Sequence, residues 1–206
     1  MNKGNRGIIA EQMLVDLYLT KKRSAKEISE ILNCSENKVN YWLLKYAIEK
    51  RSISDAVYAR CNPNGDPFKF FAPITPEDFR LFGLGVGLYW GEGTKADKNQ
   101  VRLGNSDPKL ILAFMKFLKR FFGIDKNNFK FHLHTFSDID TKEAMDFWKK
   151  ELGVGVSQFY KPTVTRSGKL GTYRKKSRYG VITVHFSNTK LRDIMVGLID
   201  KVDKPL

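Results

Sequence analysis

The chain has 206 residues, of which 42% are hydrophobic, and 36 Lys and Arg against 22 Asp and Glu give a net charge of +14. This apolar content can offset the entropy of ordering the chain, which excludes a disordered basic tail and favours one large or two small folded domains. No apolar run is long enough to span a bilayer and the first residues lack a signal peptide, so we expect a cytoplasmic protein without a membrane partner.

Three short amphipathic helices are predicted before residue 50. In the first, between Ile9 and Thr20, the apolar side chains recur at three- and four-residue spacing, at Ile9, Met13, Leu14, Leu17 and Tyr18. Ser24 and Glu27 have the spacing of a capping box for a second helix, whose buried face we expect to be Ile28, Ile31 and Leu32. The third helix follows a turn at Asn33, and its expected inner side consists of Val39, Trp42, Leu43 and Tyr46.

The segment AKEISEILNCSENKVNYWL resembles the DNA-binding helix-turn-helix family, with Ser29, Asn33 and Val39 at matching positions. Asn33 stands where Gly is frequent, and Asn tolerates the left-handed conformation that such a turn requires. The resemblance covers about residues 8–50 and implies that the third helix binds DNA. Amide side chains can pair with adenine edges, and the candidate DNA contacts are Asn37, Lys38, Asn40 and Tyr41. The alternative is a three-helix packing unit that does not touch DNA.

A connector separates these helices from the rest of the chain. The stretch CNPNGDPF contains two Pro, one Gly and two Asn, which neither a helix nor a central strand accommodates. We therefore divide the chain into a helix-turn-helix domain at 1–60, a connector at 61–75 and a larger domain at 76–206. The aromatic residues at the end of the connector are expected to pack on the larger domain, because exposed clusters of this kind are unusual.

A glycine-rich helix is predicted to begin this larger domain. Thr75 can cap it, Pro76 suits its first position, and acidic residues occupy its first turn. The predicted helix continues to about Gly91 although each interior Gly costs about 1 kcal/mol relative to Ala. Three glycines at four-residue spacing share one face, which would allow a second helix to approach closely: Gly83, Gly87 and Gly91. We therefore expect two copies of the chain to pair through this helix.

An acidic residue at the C-terminal end of this helix predicts a metal-binding site. Glu92 lies at the negative end of the helix dipole, which is unfavourable for a carboxylate unless a cation shares the site. The segment GVGLYWGEG resembles the LAGLIDADG motif of homing endonucleases, in which paired helices form the domain or dimer interface. The resemblance implies that Glu92 is the catalytic carboxylate, that Glu92 and Gly91 are the metal positions, and that the cofactor is a divalent cation, usually Mg²⁺.

The remaining elements predict an α+β domain. Strands are expected at VRLGNS, at FKFHLHTF, around 159–165 and around 181–187, with helices after Asp107, from Thr141 to Leu152 and from about Lys190 to Val202. We expect the helices to cover one face of a small, mainly antiparallel sheet. In the LAGLIDADG fold, which this arrangement resembles over about residues 76–202, the free face of the sheet lies on DNA.

Positive charge is concentrated near the C-terminal end. Between Leu152 and Arg192 there are nine basic residues and no acidic ones, which indicates a polyanionic partner unless this is simply a solvated surface. Six of them lie in a predicted glycine-containing loop that could follow a phosphate backbone: Arg166, Lys169, Arg174, Lys175, Lys176 and Arg178. His132 and His134 alternate on one strand, where a satisfied surface pair is a better interpretation than a metal or phosphate site.

These patterns favour a metal-dependent, site-specific endonuclease of double-stranded DNA. A single motif provides one carboxylate, so cleavage of both strands would require a homodimer. The alternative is a regulator that binds a specific DNA sequence and has lost cleavage, with the LAGLIDADG-like domain as its scaffold. An RNA-binding factor fits the charge equally well, and only the helix-turn-helix resemblance disfavours it. In the first two cases we expect the protein to associate with the nucleoid when it is bound to DNA.

Overall fold

The computed structural model describes residues 7–167 and 177–202. The chain divides into two compact units, Met1–Pro67 and Phe68–Leu206, and the boundary between them lies within the predicted connector. In the described residues, no helix has the length and apolar character needed to cross a membrane.

The first unit is helical. Helix α1 (Glu11–Leu14) continues as a π-helical segment, Val15–Thr20. It is followed by α2 (Ala25–Ile31), α3 (Glu36–Lys45) and α4 (Ile53–Cys61). The first three of these helices and the π-helical segment share a small core with Ile9, and its other members are Leu14, Leu17, Tyr18, Ile28, Val39 and Leu43.

Local sequence patterns correctly predicted the helix cap and the turn in this unit. Ser24 and Glu27 form the expected capping box, and Asn33 has a φ of 47°, the left-handed conformation expected at the turn. The predicted burial of Ile31 was wrong, because this residue is exposed, and Met13 on the apolar face of the first helix is exposed as well. Both have apolar spacing, but the neighbouring helices do not cover their side of the helix.

The first helix of the second unit is α5 (Pro76–Glu92), which has the predicted Thr75 cap with a capping box to Asp78. Its other long helices are α6 (Pro108–Phe122), α7 (Thr141–Leu152) and α8 (Thr189–Val202). Its strands are β1 (Val101–Asn105), β2 (Lys130–Phe136), β3 (Thr163–Thr165) and β4 (Val181–Phe186). The helices and strands lie close to the predicted positions.

The four strands form one mixed sheet in the order β1-β4-β2-β3. Strand β4 is antiparallel to both β1 and β2, whereas β3 runs parallel to β2. The segment between α5 and β1 adds one isolated antiparallel bridge to this sheet, between Gly93 and Leu103. The sheet is therefore mainly antiparallel, as predicted.

The core lies between the helices and one face of the sheet. Inward side chains from all four long helices pack against those from β1, β2 and β4, and the largest fully buried residues include Trp148, Tyr89, Phe114, Phe117, Phe121 and Phe131. Burying this many aromatic side chains is the dominant source of stability in a domain of this size. The α+β class is thus confirmed.

The beginning of this unit is fixed to α6. Phe68 and Phe70 contact Phe122 at ring-centroid distances of 6.3 and 5.6 Å, and the backbone N–H of Phe71 donates to the Phe121 carbonyl at 2.8 Å. Arg120 of α6 forms a bidentate ion pair with Asp78 of α5, with N to O distances of 2.9 and 2.7 Å. The aromatic end of the connector therefore packs on the larger unit, as expected.

Candidate functional site

One side of α5 has no packing role within the described part of a single chain. A Cβ atom added to Gly83, Gly87 or Gly91 would meet nothing within 4 Å. The same side exposes three large apolar residues, so that it combines a smooth glycine stripe with apolar edges. We call this surface the outer face of α5, and it consists of Phe79, Gly83, Leu84, Gly87, Trp90 and Gly91.

The opposite side of α5 is tightly packed. At Gly85 an added Cβ would lie 2.7 Å from the Cβ of Phe117 and closer still to its ring. One turn further, the Tyr89 and Phe114 rings stack with centroids 6.1 Å apart. Gly85 is thus the glycine of α5 that the fold of one chain requires, a role that its sequence pattern did not predict.

Glu92, the predicted catalytic and metal-binding residue, is the last residue of α5 and is exposed. The chain immediately after it is held in place, because the Thr94 N–H donates to the Arg102 carbonyl of β1 at 3.0 Å. Lys95 donates to the Trp90 carbonyl at 2.6 Å, and Arg192 donates to the Lys95 carbonyl at 2.5 Å. The position of Glu92 is therefore defined by both the helix and the sheet.

A single chain does not complete a metal site at this position. No group of three or more His, Cys, Asp and Glu side chains that could hold a metal ion occurs in the described residues. The Glu92 carboxylate is a suitable ligand for a hard cation such as Mg²⁺, but one carboxylate falls short of the ligands that such a cation requires. A second chain, phosphate oxygens or water would have to supply the others.

The face of the sheet opposite the core is polar. Its side chains lie in cross-strand rows, in which Arg102 and Lys130 flank His185, and Gly104 and His132 flank Thr183. We call this surface the open face, and its residues in the described strands include no acidic side chain: Arg102, Gly104, Lys130, His132, His134, Phe136, Thr163, Thr165, Val181, Thr183 and His185.

The histidines of β2 are hydrogen-bonded to the neighbouring strand. The Nε2 atoms of His132 and His134 lie 2.9 and 2.7 Å from the hydroxyls of Thr163 and Thr165. This agrees with the predicted pair of satisfied surface histidines. Burial, together with the charges of His134 and Arg102, lowers the pKa of His132.

His185 is the most buried of the open-face histidines, with 8% of its surface exposed. Its Nδ1 lies 3.1 Å from the side-chain oxygen of Gln100, and Gln100 in turn donates to Asp97 at 2.7 Å. The Tyr160 ring stands edge-on to the imidazole at 5.5 Å. Burial lowers the pKa of His185 to about 4, with a further contribution from Arg102. His185 was not predicted as a site residue, although the alternation along VITVHF places it opposite the core.

The predicted DNA contacts of the first unit lie on α3. Asn37 and Tyr41 are exposed, whereas Lys38 and Asn40 are half-buried. Leu44, which was not predicted, continues the exposed surface one turn further, and Lys45 lies 4.9 Å from the centre of the Trp42 ring. The structure therefore brings the four predicted residues together on one short helix.

The basic loop is described only at its two ends. Arg166 is exposed, and Arg178 makes an exposed ion pair of 3.4 Å with Glu143 while its guanidinium covers the Tyr179 ring. Lys169, Arg174, Lys175 and Lys176 lie outside the described residues. Their predicted role in DNA binding therefore rests on the sequence alone.

Compared with protein-family models, with curated proteins and with solved structures, the chain gave no match. The residues and their geometry are therefore the basis for assigning a function.

Proposed function

We propose that this protein is a homodimeric, metal-dependent endonuclease of double-stranded DNA. The observation that carries the proposal is the outer face of α5, where open glycines and exposed Leu84 and Trp90 lead directly to an exposed Glu92. Exposed apolar surface of this kind is typical of an interaction site. A second copy of α5 is a suitable occupant, because glycines at four-residue spacing allow two helix backbones to approach closely.

Pairing of two α5 helices would supply what one chain lacks. In a twofold dimer each α5 ends in its own Glu92, so that two carboxylates are available for the two strands of a duplex. Mg²⁺ bound by Glu92 and the backbone at Gly91 would supply Lewis-acid stabilisation of the charge that develops on the phosphate. The chain itself contributes the carboxylate and its position, which the pairing of residues 93–94 with β1 maintains.

The open face is the proposed surface for the duplex. It carries Arg102, Lys130 and hydroxyl groups that can contact phosphates, and it lacks the acidic side chains that would repel them. The exposed surface of α3 would provide additional contacts, in which Asn37 and Asn40 can bind base edges. The basic residues between Arg166 and Arg178 would extend the phosphate contacts.

A selection followed by a cleavage assay tests this proposal. Duplexes that the protein binds would be selected from a randomised library in EDTA, and the enriched duplexes would then be incubated with Mg²⁺. We expect both strands to be cut by the wild type, and Glu92→Gln to retain binding while losing cleavage. Glu77→Gln is a matched control, because Glu77 is also an exposed acid of α5 but lies at its other end. Cleavage that persists in Glu92→Gln would refute the assigned ligand.

A regulator that binds DNA without cutting it is the second candidate. It is favoured by the absence of a multi-ligand metal site among the described residues. In the same assay this candidate predicts enrichment of a specific duplex, no cleavage with Mg²⁺ or Mn²⁺, and equal affinity of the wild type and Glu92→Gln. Specific binding without metal-dependent cleavage would therefore favour the regulator.

A further inference from the structure

All three histidines of the chain lie on the open face. His132 and His134 alternate along β2, and His185 lies on the adjacent strand β4, one row from His132. Histidine is the side chain whose ordinary pKa lies nearest to neutral pH. Any histidine titration of this protein therefore takes place on one surface, the surface proposed above for DNA.

The hydrogen-bond partners of these histidines are compatible with both the neutral and the protonated imidazole. The hydroxyls of Thr163 and Thr165 can donate to a neutral imidazole nitrogen or accept from a protonated one. The side-chain oxygen of Gln100 can accept from Nδ1 of His185 in both states. Protonation therefore needs no rearrangement of these hydrogen bonds other than rotation of a hydroxyl.

Burial, with the charge of Arg102 adding to it, lowers the pKa of both His185 and His132. Arg102 and Lys130 flank His185 on β1 and β2, and the Lys130 ammonium group is held by the Ser157 carbonyl at 3.0 Å. Asp97 is the acidic group that acts on His185, but it is already bonded to Gln100 and lies 3.6 Å from Arg102. The Tyr160 ring packs against the imidazole of His185 in a T-shaped arrangement.

We propose that DNA bound to the open face makes His132 and His185 take up protons, so that DNA affinity rises as the pH falls. Phosphate groups bring the negative charge that the open face itself lacks, and this charge favours the protonated imidazole. Among the described residues the buried Nε2 atom of His185 has no hydrogen-bond partner, so that a proton there would be available to a phosphate that reaches it. The proposal rests on the proposed function, because it requires DNA on this face.

Linkage gives the size of the expected effect. For each proton taken up on binding, the association constant rises about tenfold for each unit of pH decrease. Uptake of about half to one proton between pH 7.5 and pH 6.0 corresponds to about 5- to 30-fold tighter binding. The first unit contains no histidine, so a contact through α3 does not produce this dependence by histidine titration.

Fluorescence anisotropy with one selected duplex, at constant ionic strength and in two buffers, would measure the dissociation constant between pH 8.0 and pH 6.0. We expect the dissociation constant of the wild type to fall as the pH falls. The dependence on pH should be smaller in His132→Gln and almost absent in the double variant His132→Gln/His185→Gln. Lys130→Gln is the matched control, since it removes a cationic side chain from the same cross-strand row and leaves all three imidazoles in place. It should weaken binding at every pH and leave the slope unchanged.

The possible outcomes separate this proposal from the proposed function. DNA binding that is independent of pH in the wild type would overturn the proton linkage and leave the function intact. A slope that persists in the double variant would overturn the assignment to these histidines. Absence of DNA binding at every pH measured would overturn the proposed function itself. Far-UV circular dichroism at each pH would check that every variant is folded. If His185→Gln does not fold, the single variant His132→Gln still tests the proposal, because His132 is only half-buried.

Discussion

The two sides of α5 show what a glycine contributes when its surroundings differ. On the inner side Gly85 allows Phe117 to lie against the helix backbone, and any side chain there would overlap the ring. On the outer face Gly83, Gly87 and Gly91 leave open space in the described chain. The inner glycine is explained by the fold of one chain. The outer glycines lower helix stability, and no packing contact within the described chain compensates for it. The difference points to a partner on the outer face.

The largest effect that separates the two sides is expected for Gly85→Ala. The added methyl group must displace Phe117, which is fully buried, and overpacking of this severity should cost about 3 kcal/mol of unfolding free energy. Urea denaturation monitored by circular dichroism would measure the loss. A stability equal to that of the wild type would show that α5 and α6 do not approach each other as closely as described.

The sheet shows a similar contrast between a covered apolar face and an open polar face that contains a buried histidine. Because burial lowers the pKa of His185 from 6.5 to about 4, the unfolded chain binds a proton before the folded chain does as the pH falls. The stability that the neutral ring provides is present above pH 6.5 and is lost toward pH 4. Between pH 7.5 and pH 5 this loss amounts to about 2 kcal/mol.

Comparison with His185→Gln isolates this contribution from the carboxyl groups that titrate in the same range. The difference in unfolding free energy between the wild type and the variant should shrink by about 2 kcal/mol between pH 7.5 and pH 5. A difference that stays constant would mean that the ring is not shielded from solvent in the way its environment indicates.

The smallest effect is expected for Gly87→Ala on the outer face. An added methyl group meets nothing there, so that the gain in helix propensity should stabilise the isolated chain by up to about 1 kcal/mol. Urea denaturation at a concentration low enough for the monomer would measure it, in parallel with Gly85→Ala. Destabilisation comparable to that of Gly85→Ala would show that Gly87 is needed inside one chain.

Local patterns predicted much of the secondary structure and little of the packing. Thr75, Pro76 and Asp78 mark the start of α5 because capping depends on residues that are close in sequence. Period-two alternation in β2 places Phe131, Leu133 and Thr135 on one side of the strand, and all three are buried. Strand β3 is only three residues long and runs parallel to β2, and nothing within its own sequence specifies that partner.

The features of the site that were missed depend on distant residues. Four-residue spacing separates Gly85 from the outer glycines, but its packing role could not be predicted, because that role depends on Phe117, which lies in another helix. His185 contacts Gln100, which is 85 residues away in the chain. Exposed Ile31 and Met13 illustrate the same limit, since helical spacing shows which residues share a face but not which neighbours cover it.

Sedimentation equilibrium of the wild type and Gly87→Leu tests most directly whether the outer face of α5 pairs two chains. At roughly 50 µM protein we expect the wild type to be a dimer and the variant a monomer, because the larger side chain would separate the paired helices. Under conditions where both are monomeric, the thermal midpoint of the variant should be no lower than that of the wild type, because Leu has a higher helix propensity than Gly. A wild type that remains a monomer with and without DNA, or a variant that dimerises as well as the wild type, would contradict the pairing and with it the proposed metal site.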